Sequence, residues 1–405
     1  MIRRLQELAS QGQPVRVGLV GAGSMGRGVA LQLRHTPGMH LAWIADHDAG
    51  AAASAARLAG ECPTASDPRE LLESAPVDVF VEATNSIGPA AEYGLAALDH
   101  GAHVVLMNAE VDLALGPLLK AEGDRRNLIV TSDAGDQHGV LATMIDEILL
   151  WGFDLVQAGN IKGFLDPAAT PASIAGEAAK RRLSATQCCA YTDGTKLHIE
   201  MAVLANGFGL LPPAGGMTGP RAARVEEALT LFDFDSYGGA PRIDYLLGAE
   251  PGGGVYVVAT PRAGFPDEQR FLLNYYKLGG GPHYLFYRPY HLCHLETPRA
   301  IAAAALDGRA VLQAGAGRVC DVYAHAKRDL KAGESITHAI GSAECYGRVH
   351  PAADADGQGL VPIVVLEEPA RLARDVPRDA PLRHDALALP ESSLLALRRK
   401  QDALS

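Results

Sequence analysis

Six residues near the start of the chain, Gly21-Ala22-Gly23-Ser24-Met25-Gly26, carry the glycine spacing that cradles a dinucleotide pyrophosphate. Gly21 would make the tight turn, and Gly23 would let the backbone approach the phosphates. Gly26 would let a following helix lie close on the preceding strand, and the amides at Ser24 and Met25 would open that helix toward the anion. The context is the required one. Val15 to Val20 reads as a buried strand before the turn, and Val29, Leu31 and Leu33 give a helical pattern after it. A second apolar run, His40 to Ala45, ends at Asp46, twenty residues past Gly26, where a carboxylate bonds the adenosine ribose hydroxyls. A plain glycine turn between packed elements is the bland alternative, and Asp46 puts it behind. A carboxylate at this place repels the extra phosphate of NADP, and His47 offers that phosphate less than an arginine would. The expected cofactor is NAD or NADP, with NAD favoured.

Later strand ends are also polar. Val77 to Val81 leads into Asn85, His103 to Met107 leads into Asn108 and Glu110, and Asn127 to Thr131 leads into Asp133, Asp136 and His138. In an open parallel sheet, ligands lie outside the carboxyl ends of the strands, so these groups should converge near the nicotinamide. Loops are polar in general, an objection that holds for each residue alone and less for three successive strand ends.

Further along, Thr192-Asp193-Gly194-Thr195 reads as a cap followed by a helix carrying Lys196 and Glu200 on one face. Lys196 is a candidate proton donor, although its spacing favours a surface ion pair with Glu200. Cys188 and Cys189 read as buried strand, and Gly207 to Pro220 as a long loop, either a lid or a plain connection. His291, Cys293, His294 and Glu296 match no standard zinc spacing with an open position, so no metal is expected.

The elements that must position these groups alternate. Apolar strands and helix-patterned segments follow one another from Val15 to Leu149, which predicts an α/β fold with a doubly wound parallel sheet of the Rossmann type. Ser66-Asp67-Pro68 reads as a helix start capped by serine. A change of pattern near Gly152 opens an expected α+β substrate domain. The last hundred residues read as a small β-rich module, with an apolar strand at Leu360 to Leu366 and a closing helix from Glu391.

With 405 residues the chain is long enough for two or three domains. Its 48% apolar and 20% charged residues are those of an ordinary globular protein. A net charge of −11 without a basic run argues against nucleic-acid and membrane partners and for a small-molecule substrate. Six scattered cysteines, no CxxC pair and a charged N-terminus without an apolar leader core point to a reducing cytoplasm.

Taken together, Gly21 to Gly26, Asn108-Ala-Glu-Val-Asp112, Gly135-Asp-Gln137, Asp193-Gly-Thr-Lys196, Tyr287-Arg-Pro-Tyr-His-Leu292 and Ala326 to Gly333 are similar to stretches of one family. The chain resembles the homoserine-dehydrogenase-like oxidoreductases with a C-terminal SAF module, a group that includes the 1-deoxy-D-xylulose 5-phosphate reductoisomerase-like enzymes. The resemblance implies a Rossmann domain at 1–150, a catalytic and dimerising domain at 151–296, and an SAF-like domain at 310–405, with helix 297–306 returning to the first. It implies a nicotinamide-dependent oxidoreductase acting on a small polar hydroxy or keto substrate, in a homodimer or higher homo-oligomer. Lys196 would move the proton, Asp193 or Asp136 would orient it, and Glu110 would hold substrate hydroxyls. Desolvation would lower the lysine's pKa toward neutrality. Asn108-Ala109-Glu110 lacks the lysine of true homoserine dehydrogenases, which leaves a reductoisomerase as one alternative. Ser132-Asp-Ala-Gly-Asp136 does not reproduce the metal-binding Asp-Ser-Glu of the deoxyxylulose phosphate enzymes. A nucleotide-binding sensor without catalysis is the other alternative.

Overall fold

The structure is a computed structural model that describes residues 1–404. Six parallel strands form the first sheet: β1 (Val15–Val20), β2 (Met39–Ala45), β3 (Thr64–Ala65), β4 (Val79–Glu82), β5 (His103–Leu106) and β6 (Val130–Ser132). Their order, β3-β2-β1-β4-β5-β6, reverses between β1 and β4, so a crevice opens at the carboxyl ends of those two strands. The strands are apolar throughout because both faces are covered. Val17, Leu19, Val79 and Val81 pack into one layer with Val29, Ala30 and Leu33 of helix Ser24–His35. Phe80, Val104 and Leu106 point the other way, against Leu113, Ala114 and Leu118 of helix Ala109–Asp124. Each such fully buried Val, Leu or Phe contributes about 1.5–3 kcal/mol.

Helix Gln137–Leu150 leads from β6 to a second, mixed sheet. Its strands are β7 (Phe153–Lys162), β8 (Arg242–Leu247), β9 (Val255–Pro261) and β10 (Tyr284–Arg288), in the order β10-β9-β7-β8. The chain then returns: Ala300, Ile301 and Ala302 of helix Thr297–Asp307 lie in the same apolar layer as β1 and helix Ser24–His35. Helix Thr195–Phe208 is buried along most of its length, and it touches helices Ala109–Asp124 and Gln137–Leu150 as well as the C-terminal strands. Those strands are β11 (Cys320–Ala326), β12 (Ser335–Ile336), β13 (Cys345–Pro351), β14 (Ala370–Leu372) and β15 (Leu387–Ala388). β11 pairs with β13, and β12, β14 and β15 form a three-stranded sheet. Among the described residues no helix is long and apolar enough to cross a membrane.

Four local expectations are corrected. Cys188 and Cys189 are buried in helix Ala185–Thr192, which Ser184 caps, rather than in a strand. The run Leu360–Leu366 is not a strand: Pro362 has no amide to donate, and Ile363–Val365 turn as a short 3-10 helix. β6 starts at Val130, because Asn127 adopts a left-handed φ of 56° and Leu128 N donates to Gly123 O, so both finish the preceding helix. The cap of helix Pro68–Ser74 is Asp67, whose carboxylate accepts from Arg69 N, and not Ser66.

Candidate functional site

The glycine turn between β1 and helix Ser24–His35 is shaped for an anion. Gly21 has a φ of 94°, and a Cβ there would stand 2.5 Å from the Ala83 carbonyl oxygen. A Cβ on Gly26 would collide with the Gly21 carbonyl oxygen, so glycine is what lets the helix rest on the strand end. Gly23, by contrast, faces open space, with nothing within 4 Å of a Cβ, and no side chain caps the helix it precedes. The first-turn amides, Ser24 and Met25 included, are therefore left for a ligand, and the cradle fits a dinucleotide pyrophosphate.

Asp46 stands at the end of β2 beside this turn. Its Oδ2 accepts from Ala22 N at 2.6 Å and its Oδ1 from Asp48 N at 2.8 Å, so it braces the turn as well as facing the crevice. Asn85 is exposed on the loop after β4. Asn108 is the N-cap of helix Ala109–Asp124: its Oδ1 accepts from the amides of Glu110 and Val111, and its Nδ2 donates to Ser86 O at 2.7 Å. Its side chain fixes two loops of the crevice.

At the carboxyl ends of β5 and β6 the polar groups meet helix Thr195–Phe208. Lys196 Nζ donates to both oxygens of Glu110, at 2.6 and 2.7 Å. Both side chains are about 15% exposed, at 15% and 14%. The expected surface pair of Lys196 with Glu200 is therefore corrected: the lysine reaches across to another helix. Glu200 is buried and accepts from Asn160 Nδ2 at 3.5 Å. The expected lowering of the Lys196 pKa is also corrected. Burial does oppose the charged form, but the Glu110 carboxylate and Tyr191 outweigh it, and the ammonium is held well above its ordinary range.

Asp193 does not orient this lysine. Its Oδ1 accepts from Thr195 N at 2.8 Å, and its Oδ2 pairs with Lys327 at 2.8 Å, in a fully buried link to the C-terminal module. Asp136 is on the Lys196 side. Burial, with the neighbouring charges of Asp133 and Glu200, pushes its carboxyl up to about 8. Asp133 is fully buried; its Oδ2 accepts from Gly135 N at 2.7 Å, and burial raises it to about 6. His138 is buried with neither ring nitrogen partnered, and desolvation pulls it down to about 4. At the end of β4, burial raises Glu82 to about 7, against the hydrogen bonds it accepts from Thr84.

The segment after β10 completes the site. Cys293 N donates to Gly135 O at 3.0 Å, and His291 Nδ1 lies 3.2 Å from the same oxygen. The approach is so close that a Cβ on Gly135 would strike the Cys293 carbonyl. Cys293 adopts a left-handed φ of 37°, which aims its thiol at Asp136. The four residues weighed together from sequence thus part company. His294 packs on Gly28 of the nucleotide-side helix, Glu296 pairs with Arg288, and His291 and Cys293 join Asp136. Tyr191 and Asn160 are further members that spacing did not reveal, since they reach the site only through the packing of helix Ala185–Thr192 and β7; Glu200 was visible beside Lys196, but not as a neighbour of Asp136.

Comparison with known proteins gives two family matches. Residues 21–122 match the NAD-binding domain of homoserine dehydrogenase, and residues 135–297 match the catalytic domain of oxidoreductase DRL. The chain thus joins a stretch similar to an NAD-binding domain to one similar to an oxidoreductase catalytic domain. It is 31% identical over 134 residues to a homoserine dehydrogenase of Neisseria gonorrhoeae, covering 32% of this chain and 31% of that one, so it spans about a third of that relative's length. Among solved structures it is similar to a levoglucosan dehydrogenase in complex with NADH (24% identity, 39% of this chain and 46% of that one, TM-score 0.31). It is also similar to a myo-inositol dehydrogenase from Corynebacterium glutamicum (15% identity, 61% and 73%, TM-score 0.39).

Proposed function

We propose that this protein is an NAD(P)-dependent oxidoreductase that reduces the carbonyl of a small polar substrate (a ketose, a keto acid or a phosphate of either), with NAD favoured by Asp46. One observation carries the reading: the ammonium of Lys196, held on Glu110, stands at the carboxyl ends of the strands that bear the open glycine cradle. When bound, the reduced nicotinamide supplies the hydride that the carbonyl carbon takes up. Lys196 serves the oxygen. As the carbonyl oxygen replaces one Glu110 oxygen at Nζ, the ammonium polarises it and hands over a proton as negative charge develops. A lysine held in its charged form stabilises the negative charge that develops on the carbonyl oxygen during reduction. Glu110 steadies the ammonium, and the proton that the lysine gives up is restored from solvent.

Lys196→Met tests this. It removes the charge and keeps the stem, so turnover should fall by about 10²–10⁴-fold while NADH still binds, as read by nucleotide fluorescence. Near-normal turnover with a ketose or keto-acid panel would overturn the role. NADH binding without any turnover in the wild-type protein would favour a sensor. The triplet Asn108-Ala109-Glu110 supports a second reading, a reductoisomerase that rearranges the substrate skeleton before reducing it. Carbon-13 labelling of the product separates the two, because simple reduction preserves connectivity.

A division at 1–150, 151–296 and 310–405 is supported by the three sets of sheets, and the packing of Ala300 and Ile301 beside β1 supports the return of helix 297–307 to the first. Six free cysteines support a reducing, cytoplasmic setting. Assembly as a homodimer and an SAF-like role for the last part rest on the family resemblance.

A further inference from the structure

We propose that Asp136, His291 and Cys293 form a binding site for one divalent transition-metal ion of the zinc class, with a fourth position open toward the Lys196–Glu110 pair. The three side chains offer an oxygen, a nitrogen and a sulfur donor that lie within 4.8 Å of one another. Donors about 2.0–2.3 Å from a tetrahedral zinc stand roughly 3.3–3.8 Å apart. Cys293 Sγ and His291 Nδ1 are already 3.5 Å apart, and on binding Nδ1 would exchange its contact with Gly135 O, which Cys293 N still satisfies, for the ion. The backbone holds this arrangement in advance: Cys293 N is tied to Gly135 O, one residue before Asp136, and the left-handed turn at Cys293 points its sulfur inward.

Two independent observations point to a cation. His138 is 1% exposed, beside His291, and neither of its ring nitrogens has a partner. A buried imidazole so placed needs a water, a ligand or a metal. Among the described residues, carboxyl groups also crowd here with no free cation beside them. Asp133, Asp136 and Glu200 gather here, while Lys196 is taken up by Glu110 and Lys162 Nζ is turned onto Gln137 Oε1 at 2.5 Å. A mixed O, N and S set selects zinc, cobalt or nickel over magnesium or calcium, which prefer oxygen alone. Three protein ligands with an open position are the pattern of a catalytic rather than a structural zinc. An ion there would give a substrate hydroxyl or carbonyl oxygen a second electrophilic contact beside Lys196.

The inference goes beyond the proposed reduction and is tested without turnover. The full-length protein, stripped with chelator and dialysed against zinc, should retain one zinc per chain by mass spectrometry. Cobalt(II) should give a thiolate-to-metal charge-transfer band. Cys293→Ser should abolish that band and weaken zinc binding by at least about 100-fold, and Asp136→Asn and His291→Gln should weaken it similarly. His294→Gln, lying outside the cluster, should leave both signals in place. NADH binding and the thermal melt of each variant report whether it has folded. A folded wild type that holds no stoichiometric zinc, or a folded Cys293→Ser that binds as the wild type does, overturns the site and leaves the Lys196 reading standing.

Discussion

Asp46 carries two tasks on one carboxylate. Its Oδ2 braces the glycine turn through Ala22 N, and on the proposed reading its charge meets the ribose. Asp46→Asn separates them, because the carboxamide oxygen still accepts from Ala22 while the charge is gone. NADP affinity should rise about tenfold relative to NAD in a calorimetric titration, and an unchanged ratio would show that the charge does not select. The residue types at the cradle were readable in full, since each glycine answers to a local steric demand. Lys196 was readable only as a candidate. Its true partner, Glu110, lies 86 positions away, and no spacing rule reaches that far. The direction of its pKa shift is illegible for the same reason, because burial shows in the pattern and the facing carboxylate does not.

At the scale of elements, the helix Thr195–Phe208 is what joins the site to the rest of the fold. His198 on this helix accepts from Val349 N of β13 at 3.1 Å, which requires an unprotonated Nδ1. Burial, with the nearby Arg348, His350 and His325, pulls its pKa down to about 3. The folded-state value lies below the unfolded value near 6.5, so the stabilisation is full above about pH 6.5 and is lost as pH falls toward 3. His198→Asn keeps an acceptor and removes the titration. Its acid unfolding, followed by circular dichroism, should begin at lower pH than that of the wild type. A second element-level expectation concerns Gly26→Ala. The added methyl would press on the Gly21 carbonyl, push the helix off the strand and cost about 1–3 kcal/mol, with loss of NADH binding. The parallel sheet was legible because its strands are continuous apolar runs. The buried Cys188–Cys189 pair was not, because a short apolar run looks alike in a strand and in a packed helix.

Across the whole molecule, the C-terminal module is fastened by a buried cation. Lys327 Nζ donates to Ala169 O and Ser342 O, each at 2.6 Å, lies 3.3 Å from Cys189 Sγ and pairs with Asp193. Lys327→Met should destabilise the protein by about 3–5 kcal/mol in thermal unfolding, because it leaves the Asp193 charge buried alone. The double variant with Asp193→Asn should recover part of that loss, and failure to do so would show that packing rather than charge is at stake. Nothing in the local sequence around residue 327 announces this contact, since its four partners come from three distant segments.

The return of helix Thr297–Asp307 to the layer beneath β1 has a mechanical consequence. Polypeptide crosses between the two larger sheets twice, near Trp151 and again between Arg288 and Thr297. With the chain passing twice between them, and helix Thr195–Phe208 packed on helices Ala109–Asp124 and Gln137–Leu150, the two sheets are fastened at several places at once, so the Cys293–Gly135 contact is held from both of its sides.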